Sequence, residues 1–188
     1  MRRQFRAAAM VFAVLTIVTG LAYPLAVLAF GQAAFADQAN GSLVHGHGRV
    51  IGSSLLAQGF TRPEYFHPRP SVGGYDAAAS GASNLGPSNP ILTRTVRGRV
   101  AAYRRENGIP VGTRVPVDAV TSSGSGLDPD ISVANARLQA TRVARARHLA
   151  VGRVLAVVAR HVDGRDLGVL GEARVNVLDL NRALDRIR

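Results

Sequence analysis

The chain contains no cysteine and no lysine, and only 12 of its 188 residues are acidic. Without cysteine there are no disulfides, thiol nucleophiles or thiolate metal sites, so a folded domain must be held by packing. Without lysine there is no Walker A loop, no kinase-type ATP site and no Schiff-base chemistry, because each needs that ammonium. Aromatics make up 5% of the chain, too few for the stacking platforms of a single-strand nucleic-acid binder. Every one of the 23 basic residues is therefore arginine, and the formal net charge is +11. Such a balance suits nucleic acid or an anionic surface. The arginines are dispersed, however, and a composition rich in Arg, Ala, Gly and Val accounts for them without such a partner. No nucleic acid is expected.

One stretch lacks charge altogether, from Ala7 to Ala36. A bilayer-crossing helix needs about 20 mostly apolar residues, since the hydrocarbon core is about 30 Å thick and each residue rises about 1.5 Å. Residues 1–36 therefore read as a membrane anchor with a transmembrane helix over about 8–31, residues 37–48 as an exit linker, and 49–188 as one soluble domain. That remainder is long enough for a real core. Arg2, Arg3 and Arg6 crowd the first flank, whereas the second offers Asp37 and no cation before Arg49. Positive flanks stay cytoplasmic, which predicts a single pass through the cytoplasmic membrane with the domain outside. The competing reading is a cleaved signal peptide, with Ala34-Phe35-Ala36 as its cleavage site. Its apolar region would span only about 7–15 residues, and this run is about twice as long. Within the span Thr16 and Gly20 are four apart, as are Ala22 and Ala26, and small residues at that spacing admit another helix. Pro24 removes a backbone donor and should kink the helix after Tyr23. Thr16, Gly20, Tyr23 and Pro24 are the candidate contacts to a neighbouring helix; lipid surrounds the rest.

Beyond the linker, Arg49 to Phe60 reads as the first extended element. His45 and His47 resemble half a metal site, but with no partner in the sequence they are read as loop residues. Residues 62–90 form a long connection rich in Pro, Gly, Ser and Asn, with Tyr65, Phe66 and Tyr75 embedded in it. Loops longer than about 12–15 residues are usually functional or disordered, and disordered tracts are poor in aromatics. The connection is read as an ordered surface built for recognition, with Tyr65, Phe66, Arg69, Ser83, Asn84, Leu85 and Gly86 as candidate partner contacts. Asn89 and Pro90 start a helix as N-cap and first-turn proline. Leu92, Val96, Val100 and Tyr103 mark its apolar face, and Gly108 ends it.

Residues 115–121 suggest a short edge strand, Pro116 being unable to donate to a ladder. The Gly/Ser loop at 121–132 has the composition of a phosphate cradle. Asp128 and Asp130 put negative charge where an anion would sit, and fit capping of the next helix better. Helices follow over 133–148 and through Val154, Leu155, Val158 and Val162. A strand at 174–178 and a closing helix through Leu180, Ala183, Leu184 and Ile187 complete an α+β inventory: one N-terminal transmembrane helix, then a single mixed α/β extracytoplasmic domain. No serine lies in a G-x-S-x-G elbow, and His67, His148 and His161 lack ligand spacing, so no catalytic set and no metal site is expected.

Several blocks taken together carry a resemblance. They are Thr19-Gly-Leu-Ala-Tyr-Pro-Leu25, Tyr65-Phe-His-Pro-Arg-Pro-Ser71, Ser83-Asn-Leu-Gly-Pro-Ser-Asn-Pro90, and Val115 to Pro129 with its Ser-Gly-Ser-Gly-Leu-Asp-Pro ending. Further on come Gln139, Arg142-Val-Ala144 and Gly171-Glu-Ala-Arg-Val-Asn-Val-Leu178. In unbroken order over nearly the whole chain, these resemble the C subunit of the Kdp-type potassium-transporting ATPase. The resemblance implies an accessory subunit with no catalytic site of its own, needed for assembly and stability of an ATP-driven potassium uptake complex. Its partners would be a channel-like A subunit and a P-type B subunit, and it would act as a catalytic chaperone raising the B subunit's affinity for ATP. No cofactor would be bound covalently; ATP and potassium would act at the level of the complex. The alternative is a membrane-anchored extracytoplasmic binding module with no transport partner.

Overall fold

A computed structural model describes residues 1–46 and 48–187. The chain divides into two compact units, Met1–Ile51 and Gly52–Arg188.

The first unit is dominated by a 33-residue helical rod, Arg2–Ala34. Its halves, α1 (Arg2–Ile17) and α2 (Tyr23–Ala34), are joined by a π-helical turn at Val18–Ala22. Pro24 has no N–H to offer the carbonyl four residues back. Just before it, the Tyr23 N–H reaches Val18 O, five residues back. The proline is thus absorbed by a widened turn rather than a break. Thr19 donates its hydroxyl to Leu15 O at 2.7 Å, so this exposed polar group has its acceptor within the rod's own backbone. At about 1.5 Å per residue the rod is about 50 Å long, more than a bilayer core requires. It is the one helix among the described residues long and apolar enough to cross a membrane. After it, a short helix α3 (Ala36–Ala39) and strand β1 (Leu43–Gly46) occupy the expected linker, and β1 pairs in a two-stranded sheet with β2 (Arg49–Ser53), which stands where the first extended element was expected. The segment is therefore structured where a flexible exit was expected. His45 lies on β1, and His47 is outside the described residues.

The second unit holds α4 (Pro90–Asn107), a 3-10 turn at Val117–Ala119, β3 (Asp130–Ser132), α5 (Val133–Ala146), α6 (Val151–Arg160), β4 (Val162–Asp163), β5 (Arg174–Asn176) and α7 (Val177–Asp185). The three strands form an antiparallel sheet in the order β3-β5-β4. Ile131 lies opposite Val175, which also faces Val162 across the other edge. The core gathers Ile131 and Val175 from the sheet, Ala136, Ala140, Val143 and Ala144 from α5, Val154 and Val158 from α6, and Val177, Leu180 and Leu184 from α7. Small residues on α5 let α6 pack close to it. The connection between the two helices turns at His148, whose φ is +54°.

Element boundaries follow local chemistry. Asn89 accepts from Ile91 N, and Gly108, at φ +64°, closes α4 in the left-handed conformation, as the sequence predicts. Along α4 only Tyr103 and Asn107 are fully buried; Leu92, Val96 and Val100 are half-buried. The expected edge strand at 115–121 is the 3-10 turn instead. Asp118 on that turn accepts from Ser132 N, Ser132 Oγ and Asn135 Nδ2, which holds the segment through a side chain rather than a ladder. Asp128 and Asp130 do not cap α5; Ser132 does, accepting from Asn135 N at 3.1 Å. The strand at 174–178 stops at Asn176, because Asn176 accepts from Asp179 N and starts α7 there.

Candidate functional site

The long connection between Phe60 and Pro90 has no regular secondary structure but is firmly held. Phe66 has no exposed area and is the largest fully buried side chain. It was expected on the recognition surface; its ring serves the domain's interior instead. Its backbone is gripped by Asn181 of α7, which accepts from Phe66 N at 2.8 Å and donates to Phe66 O at 3.0 Å. Gln139 of α5 treats the next residue in the same way. Its Oε1 accepts from His67 N at 2.8 Å, and its Nε2 donates to His67 O at 3.0 Å. Two helix amides thus give an irregular segment the pairing that a neighbouring strand would otherwise provide. A buried backbone needs such partners.

Arg142, one turn along α5, completes the clamp. It is 7% exposed. Its Nη1 donates to Pro63 O at 2.6 Å and Tyr65 O at 2.9 Å, its Nε to Asn107 Oδ1 at 3.0 Å, and its Nη2 to Gln139 Oε1 at 2.8 Å. Burial lowers its pKa, and the nearby Glu106 carboxylate opposes that shift; a guanidinium stays cationic regardless. Asn135 accepts from Tyr103 Oη at 2.8 Å and from Gln139 Nε2 at 2.9 Å. Burial pushes the Tyr103 phenol well above its ordinary value, with Asp118 adding to the effect. The hydroxyl is therefore a permanent donor here. His67 faces two acceptors, Glu106 Oε1 at 2.9 Å from Nδ1 and Arg62 O at 3.0 Å from Nε2. The hydrogen bond to His67 holds Glu106 below the usual carboxylate range against the opposing effect of burial.

Beside this clamp lies a cavity of about 220 Å³ bordered by Phe60, His67, Tyr75, Arg99, Glu106 and Gln139. Its polar walls already have partners: His67 pairs with Glu106, Tyr75 Oη donates to Arg69 O, and Arg99 Nη1 donates to Val120 O and Ser122 Oγ. Among the described residues no group of three or more His, Asp or Glu is placed to hold a metal ion.

The other candidates on the connection differ in exposure. Tyr65 is half-buried, with the guanidinium groups of Arg62 and Arg147 each 5.0 Å from its ring centre. Arg69 is half-buried and pairs with Asp128 at 2.8 Å. Ser83, Asn84 and Gly86 are exposed and Leu85 is half-buried, with Asn84 at φ +52°. This outer arm is tied down through its neighbours: Ser80 Oγ and Gly81 N both donate to Ser125 O. The Gly/Ser loop that receives them spends donors on its own serines and on the connection, Ser123 N donating to Pro70 O at 3.1 Å. Ser123 Oγ accepts from Gly126 N, and Ser125 Oγ from Leu127 N. At Gly126, φ is +72° and an added Cβ would lie 2.9 Å from Gly81 O, so only glycine fits. The loop is a scaffold for the arm, not an anion cradle. Thr16, Gly20, Tyr23 and Pro24 are all exposed on the rod.

Asn135, Gln139, Arg142 and Asn181 organise this region, yet none is among the sequence-derived contact candidates. Their signal was spacing. Asn135, Gln139 and Arg142 recur at i, i+4 and i+7, so a single helical face carries them. Apolar Ala136, Ala140 and Val143 lie immediately beside that face.

A family model described as "KdpC: K+-transporting ATPase, c chain" matches residues 5–186. The chain belongs to this family. Similar proteins include the potassium-transporting ATPase KdpC subunit of Mycobacterium tuberculosis (strain ATCC 25618 / H37Rv), 57% identical with both chains covered in full. The proteins of the same name from Paraburkholderia phytofirmans and Paraburkholderia phymatum are 53% and 52% identical, over 100% and 98% of this chain and 99% and 97% of theirs. Family membership makes the chain a subunit of a K+-transporting ATPase, carrying one helix fit to cross a membrane. The resemblance read from the residue blocks is thereby established across the chain.

Proposed function

We propose that the chain is a single-pass accessory subunit whose rod anchors it in the cytoplasmic membrane with the domain on the extracytoplasmic side. There the domain assembles with, and stabilises, a channel-like A subunit and a P-type B subunit. The observation that carries this reading is the 33-residue rod without one buried side chain. Arg2, Arg3 and Arg6 lie at its start, and Asp37 alone follows its end. A rod so exposed needs lipid or other helices around it, and its charge asymmetry orients the N-terminus inward. Tyr65, Arg69, Ser83, Asn84, Leu85 and Gly86 offer a held surface to the A subunit's extracellular mouth, while Thr16, Gly20, Tyr23 and Pro24 offer small or notched positions to its helices. Phe66 acts only by keeping the connection in place.

ATP and potassium act on the complex rather than on this chain. ATP is cytoplasmic, so a chaperone effect on the B subunit's ATP affinity passes through the assembly as a coupling free energy, of the order of 1–3 kcal/mol. Reporter fusions after Asn40 and at the C-terminus test sidedness. Export-dependent activity at both positions is the expected result, and cytosolic activity at the tail defeats the proposal. Purification in mild detergent tests assembly: two large polytopic proteins in stoichiometric amounts are expected, whereas a lone chain favours the anchored binding module.

A further inference from the structure

The length of the rod does not fix its depth. Its charge-free stretch runs from Ala7 to Ala36, longer than the about 20 residues that a hydrocarbon core of about 30 Å requires. A rod with residues to spare can ride up or down, or tilt, at little cost unless something at its ends holds it. Counted from Ala7, about 20 residues end near Ala26, so Phe30 to Ala34 stand beyond the core on the domain's side.

There the chain builds a collar. The rod ends at Phe35, whose backbone (φ −142°, ψ +47°) leaves the helical region, and α3 folds back along it. A Cβ added at Gly31 would lie 3.7 Å from Ala39 Cβ, an ordinary van der Waals distance, so α3 rests on the rod at that glycine. Gln32 and Asn40 close the reversal. Gln32 Nε2 donates to Asn40 Oδ1 and Asn40 Nδ2 to Gln32 Oε1, both at 3.2 Å, and Asn40 Nδ2 also donates to Ala36 O at 2.7 Å. Both amides are exposed, yet each finds its partners inside the collar, as a layer poor in water demands. The rings of Phe30 and Phe35 meet edge to face with centres 6.0 Å apart. They remain 66% and 53% exposed. Asp37, the first charge after Arg6, sits on α3. Apolar rings, paired amides and a single carboxylate thus follow one another over the few residues in which a chain passes from acyl chains to water.

We infer that this collar, Phe30 to Asn40, seats in the headgroup layer of the leaflet on the domain's side and sets the depth of the rod. The occupant of its aromatic face is the boundary between phospholipid headgroups and acyl chains. That boundary takes up apolar and aromatic side chains over about 5–10 Å. Phe30 stands four residues past Ala26, about 6 Å beyond the core at about 1.5 Å per residue. The face is also continuous with a rod that has no buried side chain, so whatever solvates the rod reaches it. The inference rests on the membrane-anchor reading above and adds to it where the anchor stops.

The chain has no tryptophan, which makes the test direct. Phe35→Trp and, separately, Ile17→Trp each give the full-length chain a single indole. Both variants are reconstituted in vesicles of phosphatidylcholine and phosphatidylglycerol whose acyl chains carry bromine either near the headgroup or near the methyl end. The indole at 35 should be quenched about twofold or more better by the shallow bromines, and the indole at 17 by the deep ones, because interfacial and mid-span rings differ in depth. Deep quenching at 35 overturns the collar, and so does the absence of quenching there from either lipid. If position 17 is also unquenched, the anchor reading itself fails. A companion chain carries Phe30→Ser and Phe35→Ser beside Ile17→Trp. Without the two rings, the ratio of shallow to deep quenching at 17 should shift by about twofold, since interfacial anchors no longer hold the rod at one depth. An unchanged ratio overturns the depth-setting role.

Discussion

Along α1 and α2 no side chain is buried, and Phe12, Leu15, Ile17, Leu21, Leu28 and Phe30 all face outward. In the domain the same kinds of residue turn inward: Phe66, Ile131, Leu180 and Leu184 are all but sealed from solvent. Composition alone does not separate these two situations; partners do. The domain finds its apolar partners within itself, whereas the rod carries none and has to be solvated from outside. Polar groups are reversed as well. The rod satisfies the exposed Thr19 hydroxyl on its own backbone, whereas the domain invests buried Asn, Gln and Arg side chains in pinning a loop. Near the rod, stability is a matter of the surroundings; in the domain it is a matter of satisfied hydrogen bonds.

The sharpest way to break this contrast is to remove the domain's buried cation. Arg142→Ala would strand the carbonyls of Pro63 and Tyr65 and the Asn107 Oδ1 acceptor, and would take one of its two donors from Gln139 Oε1. Leaving a buried polar network half-satisfied costs about 3–5 kcal/mol. Thermal unfolding of the full-length chain in detergent should show a large fall in midpoint, together with faster proteolysis between Arg62 and Pro90. A loss below about 1 kcal/mol, the level of an ordinary surface change, would mean that the clamp is ornamental.

The next largest effect belongs to the rod. Leu21→Arg places a charge near the middle of the span, where insertion scales charge about 2.5–3.5 kcal/mol. The measured quantity is the fraction of chain recovered in membranes, which should drop while the unfolding midpoint of the domain stays put. The reverse pattern, a destabilised domain on a well-inserted chain, would contradict the division of labour between the two regions.

These two substitutions also mark what could be read from residues alone. The rod was legible because lipid imposes a rule on every position: a long charge-free run has few other solutions. The start of α4 was legible for a similar reason, since Asn89-Pro90 and Gly108 act locally. The clamp was not. Arg142 and Gln139 meet Tyr65 and His67 across more than 70 residues of chain, and no local pattern encodes that pairing. Phe66 was misplaced because an aromatic in a Pro-rich loop looks like a surface contact until a core closes over it. The strand expected at 115–121 failed because Asp118, read as one residue of an alternating pattern, is a hydrogen-bond acceptor for the start of α5.

A smaller effect comes from helix starts, where backbone donors depend on one side chain. Asn176→Ala removes the acceptor for Asp179 N and the donor to Ser54 O. Loss of such a cap costs about 0.5–2 kcal/mol. A modest fall in the unfolding midpoint is expected, with membrane recovery unchanged. If the rod's recovery also falls, the two regions are not energetically separate.

The smallest effect is one of pH, and it belongs to the domain alone. Glu106 has its folded pKa lowered, chiefly by the hydrogen bond with His67. A carboxylate of this kind contributes stability that is present above its unfolded pKa, about 4.3, and is lost as pH falls through the lowered folded value. Glu106 is more than a third exposed, so solvent screens much of the gain. Unfolding midpoints of the full-length chain, taken from pH 7 down to pH 3, should therefore decline less steeply below about pH 4.3 in Glu106→Gln than in the unaltered chain. Asp130 has the opposite sign. Its pKa is raised, chiefly by burial and also by Asp128, so its stabilising contribution is fully present below the unfolded value and fades as pH rises through the folded one. Asp130→Asn should accordingly act toward the neutral end, while Glu106→Gln acts at the acid end. Parallel curves for the two variants would show that neither carboxylate senses the domain's interior, and the polar clamp would then be no different in kind from the open surface of the rod.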